Sequence, residues 1–191
     1  MDTLEKIFGG AARVKLMRLF LFNPTLYFFT EDVVDRSKID TSKARKELLF
    51  LAKVGLIKKS TRNGSKVVWY LNDKFPYLME FQRLLLQTSL INTKPIIKKL
   101  SKIGKLKAVV FSGIFKELWD SRLDILVIAE GTKKQTSENI ISNIESELGK
   151  EIRFAVLDTE DFKYRLGVGD RLIRDVLDYP HEVVLDRLGL F

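Results

Sequence analysis

Ten bases fall between Arg36 and Lys66: Arg36, Lys38, Lys43, Arg45, Lys46, Lys53, Lys58, Lys59, Arg62 and Lys66. Only two acids, Asp40 and Glu47, stand among them. The difference, +8, equals the formal net charge of the whole 191-residue chain. Guanidinium and ammonium groups gathered on one face neutralise phosphate and release its condensed counterions, so this stretch is equipped to bind a polyanion. The rest of the chain does not share the excess. Residues 1–95 hold 17 Lys+Arg against 9 Asp+Glu, whereas residues 96–191 hold 16 of each. A basic half joined to a neutral half points to two modules, one for a polyanion and one for something else.

Other chemistries have little to work with. Cysteine is absent, which removes a disulfide framework and a thiolate metal site. His181 is the single histidine, so a histidine-built zinc site or a Ser-His-Asp triad is not expected, and no cofactor is expected either. His181 precedes an apolar run and reads as a surface or capping residue. No apolar run approaches the roughly 20 residues that span a bilayer, and the longest, Leu16 to Phe22, is interrupted by Arg18. The N-terminus lacks the basic-then-apolar order of a signal peptide, so a soluble cytoplasmic protein without a membrane partner is expected.

The elements that must position the bases can be read from spacing. Ala11 to Phe22 is amphipathic and ends at Asn23-Pro24. Tyr27 to Phe29 is an aromatic, strand-like clip, and Thr30 caps a short helix over Glu31 to Arg36. After a turn at Ser37 to Asp40, Asp40 or Thr41 caps a helix running to about Val54. Ala44, Leu48, Leu51 and Ala52 recur at spacings of three and four and face the core, leaving Ser42, Lys43, Arg45 and Lys46 on the other side. Gly55 ends that helix. Lys58 to Leu71 then reads as a hairpin turning at Asn63-Gly64, with Lys58, Lys59, Arg62 and Lys66 around it and Trp69 in its core. A short helix, a basic recognition-type helix and a basic two-stranded wing together describe a winged helix-turn-helix over residues 1–74, with Ser42, Lys43, Arg45, Lys46, Lys58, Lys59, Arg62 and Lys66 as the DNA contacts.

Phe75-Pro76 introduces a helix through Leu90 with a wide apolar stripe. Such a helix must bury more than one side, and residues 75–95 are expected to connect the modules and to hold a homodimer together. Beyond it, residues 96–191 alternate strands at Leu106–Phe111, Leu123–Ala129 and Ile152–Leu157 with helices at 136–148 and about Thr159–Leu166. A further helix at Asp170–Leu177 and then a return strand in the stretch Tyr179–Leu185 are expected. Asp158, Glu160 and Asp161 read as acids at a helix start. The order predicts an α+β chain whose second domain is a small mixed sheet with helices on it.

Three resemblances add to this reading. Ile7-Phe8-Gly9-Gly10-Ala11-Ala12-Arg13-Val14-Lys15-Leu16-Met17-Arg18-Leu19-Phe20 resembles the opening of small prokaryotic winged-helix regulators that carry a nucleotidyltransferase-like domain behind them. Lys46-Glu47-Leu48 and Leu51-Ala52-Lys53-Val54-Gly55-Leu56-Ile57 resemble a recognition helix and wing entry of winged-helix repressors generally. Val110-Phe111-Ser112-Gly113 and Ser121-Arg122-Leu123-Asp124-Ile125-Leu126-Val127-Ile128 resemble the signature of polymerase-beta-type nucleotidyltransferases. In that signature a Gly-Ser turn offers amides to triphosphate and alternate acids on a strand hold two magnesium ions.

The chain departs from the signature at its centre. Glycine and serine are inverted as Ser112-Gly113, Arg122 replaces one acid so that Asp124 remains alone, and Arg153 stands about where a later-strand carboxylate is sought. One carboxylate beside an arginine does not hold two divalent cations. No metal site, no catalytic residue and no enzymatic activity are therefore expected.

Two readings of the altered site stay open. The domain has lost its ligand and serves assembly or a protein partner, with an arginine pairing with Asp124; or Ser112, Gly113, Arg122, Asp124 and Arg153 bind an anion or nucleotide without metal. The whole chain then reads as a homodimeric regulator of transcription that binds double-stranded DNA. The alternatives are a nucleotide-handling protein or enzyme acting on nucleic acid, and a partner-binding adaptor.

Overall fold

The computed structural model describes residues 3–62, 66–90 and 93–189. The chain divides into two compact units, residues 1–91 with 142–150 and residues 92–141 with 151–191. Among the described residues no helix is long and apolar enough to cross a membrane.

The first unit begins with α1 (Thr3–Ile7) and α2 (Ala11–Leu21). They are followed by β1 (Tyr27–Phe29), α3 (Thr30–Ser37), α4 (Thr41–Lys53), β2 (Ile57–Arg62), β3 (Lys66–Leu71) and α5 (Leu78–Leu90). Its core is built from α2 (Leu16, Phe20), α3 (Val33), α4 (Ala44, Leu48, Leu51) and the sheet (Phe28, Ile57, Trp69, Leu71). Ala44, Leu48 and Leu51 are at most 1 % exposed, which is the outcome the three-and-four spacing predicts for the inner face of α4. The sheet is antiparallel in the order β1-β3-β2. β2 and β3 pair from Ile57↔Leu71 to Arg62↔Lys66. The Asn63-Gly64 turn expected between them lies outside the described residues.

Local chemistry sets the ends of α4. Asp40 caps it, its Oδ1 accepting the backbone N–H of Ser42 at 2.9 Å and of Lys43 at 3.2 Å. Gly55, just past its end, has φ +83°, the left-handed region that glycine enters without a Cβ penalty. The turn between α3 and α4 is closed instead by Lys38 at φ 52°, a non-glycine residue in the same region.

α5 starts at Leu78, three residues later than Phe75-Pro76 suggests. Leu85 is fully buried in the first unit's own core, and Phe75, Leu78, Phe81 and Leu86 pack against that core. Gln82 donates to the carbonyl of Leu21 at 2.8 Å. Tyr77, Met79 and Leu84 stay exposed, at 60, 72 and 42 %. The wide stripe is thus divided between one buried face and one open one.

The second unit contains α6 (Lys94–Leu100), with Pro95 in its first turn. β4 (Lys105–Phe111), a 3₁₀ turn (Gly113–Lys116), β5 (Ile125–Glu130) and α7 (Lys134–Leu148) follow, the residues of α7 from 142 onward counting with the first unit. β6 (Phe154–Leu157), α8 (Thr159–Gly167), α9 (Arg171–Leu177) and β7 (Glu182–Asp186) complete it. The sheet order is β6-β5-β4-β7. β4 pairs antiparallel with β5 and β7, while β5 and β6 run parallel. Ile125 to Ala129 of β5 are all buried, consistent with a central strand covered on both faces, which needs a continuous apolar run rather than alternation. On one face Ala108, Val110, Leu126 and Ile128 pack with Phe162 of α8 and with Ile173 and Val176 of α9. Asp158 and Asp170 cap α8 and α9 through N–H bonds to their carboxylates. The chain is therefore mixed α+β with two small sheets.

Candidate functional site

The outer face of α4 carries Ser42, Lys43, Arg45 and Lys46, all exposed. Lys43, Arg45 and Lys46 make no ion pair among the described residues. The one acid of α4, Glu47, is removed from this balance by Arg13 of α2, whose Nε lies 2.7 Å from Glu47 Oε2. The Arg13 guanidinium also lies over the Phe50 ring, 3.7 Å from its centroid. The bases of the outer face of α4 are thus not balanced by the acid that the helix contains. Ser42 is partly committed elsewhere, because its hydroxyl donates to Asp40 at 2.6 Å. That bond is the main reason the Asp40 carboxyl is held below its ordinary value, with the N–H groups of Lys43 and Ser42 adding to it.

The hairpin contributes unequally. Lys59 is exposed and makes no ion pair among the described residues. Lys58 is half-buried, with Nζ 3.4 Å from Asp73, so its charge is partly balanced. Lys66 is exposed, its Nζ 5.7 Å from the centroid of Phe29. Arg62 closes β2 opposite Lys66 in register. Trp69 belongs to the core, as its position in the hairpin suggests, and its Nε1 donates to Thr30 Oγ1 at 3.1 Å. Beside α4 and the sheet runs a groove of about 430 Å³, lined by Leu49, Val67, Phe29 and Trp69 on its apolar side and by Arg45, Lys66 and the acid Glu31 on its charged side. Leu49 is 56 % exposed, and Val67 39 %. Sequence reading passed over both, since attention to charge hides an apolar residue on a polar face.

In the second unit the structure brings four of the five singled-out residues together and sets one apart. Asp124 is fully buried. Its Oδ1 accepts the Ile114 N–H at 2.9 Å and Arg153 Nη2 at 3.2 Å. Its Oδ2 accepts the Arg153 N–H at 2.8 Å and Arg153 Nε at 3.1 Å. Four donors fill the acceptor capacity of one carboxylate. Ser112 is 1 % exposed, and its N–H donates to the Asp124 carbonyl at 2.9 Å. Gly113, at φ +52°, has no room for a side chain, because a Cβ there would lie 2.0 Å from Asp124 Oδ1. The Ser112-Gly113 turn is thus closed down on Asp124, and the arginine that neutralises the acid is Arg153.

Arg122 faces elsewhere. Its Nε lies 3.1 Å from Asp175 Oδ2, a residue of α9. Arg122 and Asp175 line a cleft of about 570 Å³ together with Trp119, Arg171 and Tyr179. Arg171 and Asp175, four residues apart, lie on one side of α9, and Tyr179 follows just past its end; that spacing is the signal the sequence offers. His181 lies nearby in the chain, its Nδ1 2.9 Å from the carbonyl oxygen of Tyr179.

Set against protein-family models, curated proteins and solved structures, the chain matches none of them.

Proposed function

We propose that the protein is a DNA-binding regulator of transcription that acts from the cytoplasm as a homodimer. In this reading the first unit is a winged helix-turn-helix, α4 its recognition helix and β2–β3 its wing. The observation that carries it is the exposed face of α4, where Lys43, Arg45 and Lys46 stand without ion-pair partners while Glu47 is tied to Arg13. Cations that already have carboxylate partners gain little from phosphate; these have none to give up. Lys59 and Lys66 extend the same charge onto the hairpin. Leu49 and Val67 offer the apolar contact that a thymine methyl group takes in the major groove.

The second unit, in the same reading, is a nucleotidyltransferase-like fold without nucleotidyl transfer. Asp124 is the acid that would have to hold metal, and Arg153 already occupies it. The open face of α5, with Tyr77, Met79 and Leu84, is the surface assigned to the dimer. Charge reversal tests the main claim. Lys43→Glu with Lys46→Glu should abolish binding to duplex DNA while circular dichroism stays that of the parent, and undiminished binding by this variant would refute the assignment of α4.

A further inference from the structure

The cleft beside α9 belongs to the second unit, and its lining has a chemistry of its own. Its volume of about 570 Å³ lies within the range of small-molecule sites. Two aromatic rings stand open in it, Trp119 at 43 % and Tyr179 at 60 % exposure. Rings left in contact with water at the wall of a cleft are suited to a flat apolar group. Charge is present in both signs. Arg171 is exposed and makes no ion pair among the described residues. Arg122 remains 53 % exposed despite its approach to Asp175, which keeps 26 % of its own side chain exposed. Glu117 and Asp120 complete the acidic side. Glu117 is held there at φ 60°, a left-handed conformation that costs a residue with a Cβ and that recurs at binding sites.

The sign of the balance selects the ligand. Three carboxylates face two guanidinium groups, so a phosphate ester would bring its charge against a net negative wall. A simple cation would leave Arg171 uncompensated. A zwitterion satisfies both sides, placing a carboxylate on Arg171 and an ammonium on the acids. We propose that this cleft binds an aromatic α-amino acid, its carboxylate on Arg171, its ammonium toward Glu117 and Asp175, and its ring against Trp119 and Tyr179. The site stands on the second unit's residues alone and does not depend on DNA binding.

The test uses the whole chain and a probe with no indole of its own. L-Phenylalanine titrated by calorimetry should saturate with a Kd on the order of 0.1 mM, and the emission of Trp119 should change along the same isotherm. 3-Phenylpropionate lacks the ammonium and 2-phenylethylamine lacks the carboxylate, so each should bind at least about tenfold more weakly, as expected where a site built for a polar group meets an analogue without it. Arg171→Ala should lower L-phenylalanine affinity at least about tenfold with the fold unchanged. No saturable heat at about 10 mM L-phenylalanine would overturn the proposal, as would equal binding of all three probes or affinity unaltered by Arg171→Ala. Binding of AMP without binding of L-phenylalanine would overturn it in favour of a nucleotide.

Discussion

Arg153 and Asp124 form a two-pronged pair, with Nε 3.1 Å from Oδ2 and Nη2 3.2 Å from Oδ1. The same arginine also donates its backbone N–H to Oδ2 at 2.8 Å, so main chain and side chain grip one carboxylate together. Asp124 itself is inaccessible, whereas the Arg153 side chain is 41 % exposed. The acid that the nucleotidyltransferase resemblance would assign to metal is here a buried joint between the strand-entry segment before β5 and the one before β6.

Removing either half should loosen the second unit. Asp124→Ala strands the Ile114 and Arg153 N–H groups, and about 3 kcal/mol of unfolding free energy should go with it. Arg153→Ala leaves a buried carboxylate without its cation and should cost about 2–3 kcal/mol, less than a fully enclosed pair because the guanidinium is partly in water. Arg122→Ala breaks a partly exposed pair, 53 % open at the arginine and 26 % at Asp175, and should cost about 1 kcal/mol, less than the loss of Arg153. Urea titrations followed by tryptophan emission and by circular dichroism measure all three.

Gly113 offers a paired comparison with Gly131. Both have positive φ, +52° and +69°, but a Cβ at Gly113 meets Asp124 Oδ1 at 2.0 Å and the Leu123 carbonyl at 2.9 Å, whereas at Gly131 it meets nothing within 4 Å. Gly131→Ala should therefore cost only the left-handed conformation, about 1–2 kcal/mol. Gly113→Ala should cost clearly more, because the Asp124 joint must open to admit the methyl group. Equal losses in thermal denaturation would mean that the turn is not closed on Asp124.

Asp40 links α4 to pH. Its folded pKa lies below the ordinary 3.8, chiefly through the Ser42 hydroxyl. A depressed carboxylate contributes stability above its unfolded pKa and loses it as pH falls through the folded one. The melting-temperature gap between the parent and Asp40→Ala should thus be full at neutral pH and shrink only below about pH 4. A gap that stays constant into stronger acid would show that the cap does not act through the ionised group.

The open face of α5 should bring two chains together. Light scattering at tens of micromolar should give twice the 22.1 kDa chain mass, and Met79→Glu with Leu84→Glu should return it to a single chain. A parent protein that stays monomeric would leave no two-fold axis for a paired DNA site.

Elements governed by local rules were legible in the sequence. A cap at Asp40 or Thr41 is read from residue type and place, with Asp40 the one that caps, and Ala44, Leu48 and Leu51 are read as an inner face from their spacing, because both depend on neighbours within one or two turns. Trp69, expected in the core of the hairpin, is in the core of the first unit. The partner of each charge was not legible. Arg122 and Asp124 are two residues apart, yet Arg122 reaches Asp175 and Asp124 is met by Arg153, since β5 is parallel to β6 and the sheet carries Arg153 to the acid. The division of α5 into a buried and an open face was equally hidden, because an apolar stripe states how much must be covered and not by what. Likewise, Lys58 counts as a cation in any sequence tally, and only the fold brings it to Asp73.

The dependence of duplex DNA affinity on salt tests the assignment of the basic face most directly. If Lys43, Arg45, Lys46, Lys59 and Lys66 each displace a counterion from phosphate, log K should fall linearly with log salt with a slope of about −4.5. Lys43→Glu with Lys46→Glu should flatten the slope along with lowering the affinity. Parent affinity that is unchanged between low and physiological salt would contradict DNA binding through α4 and the hairpin.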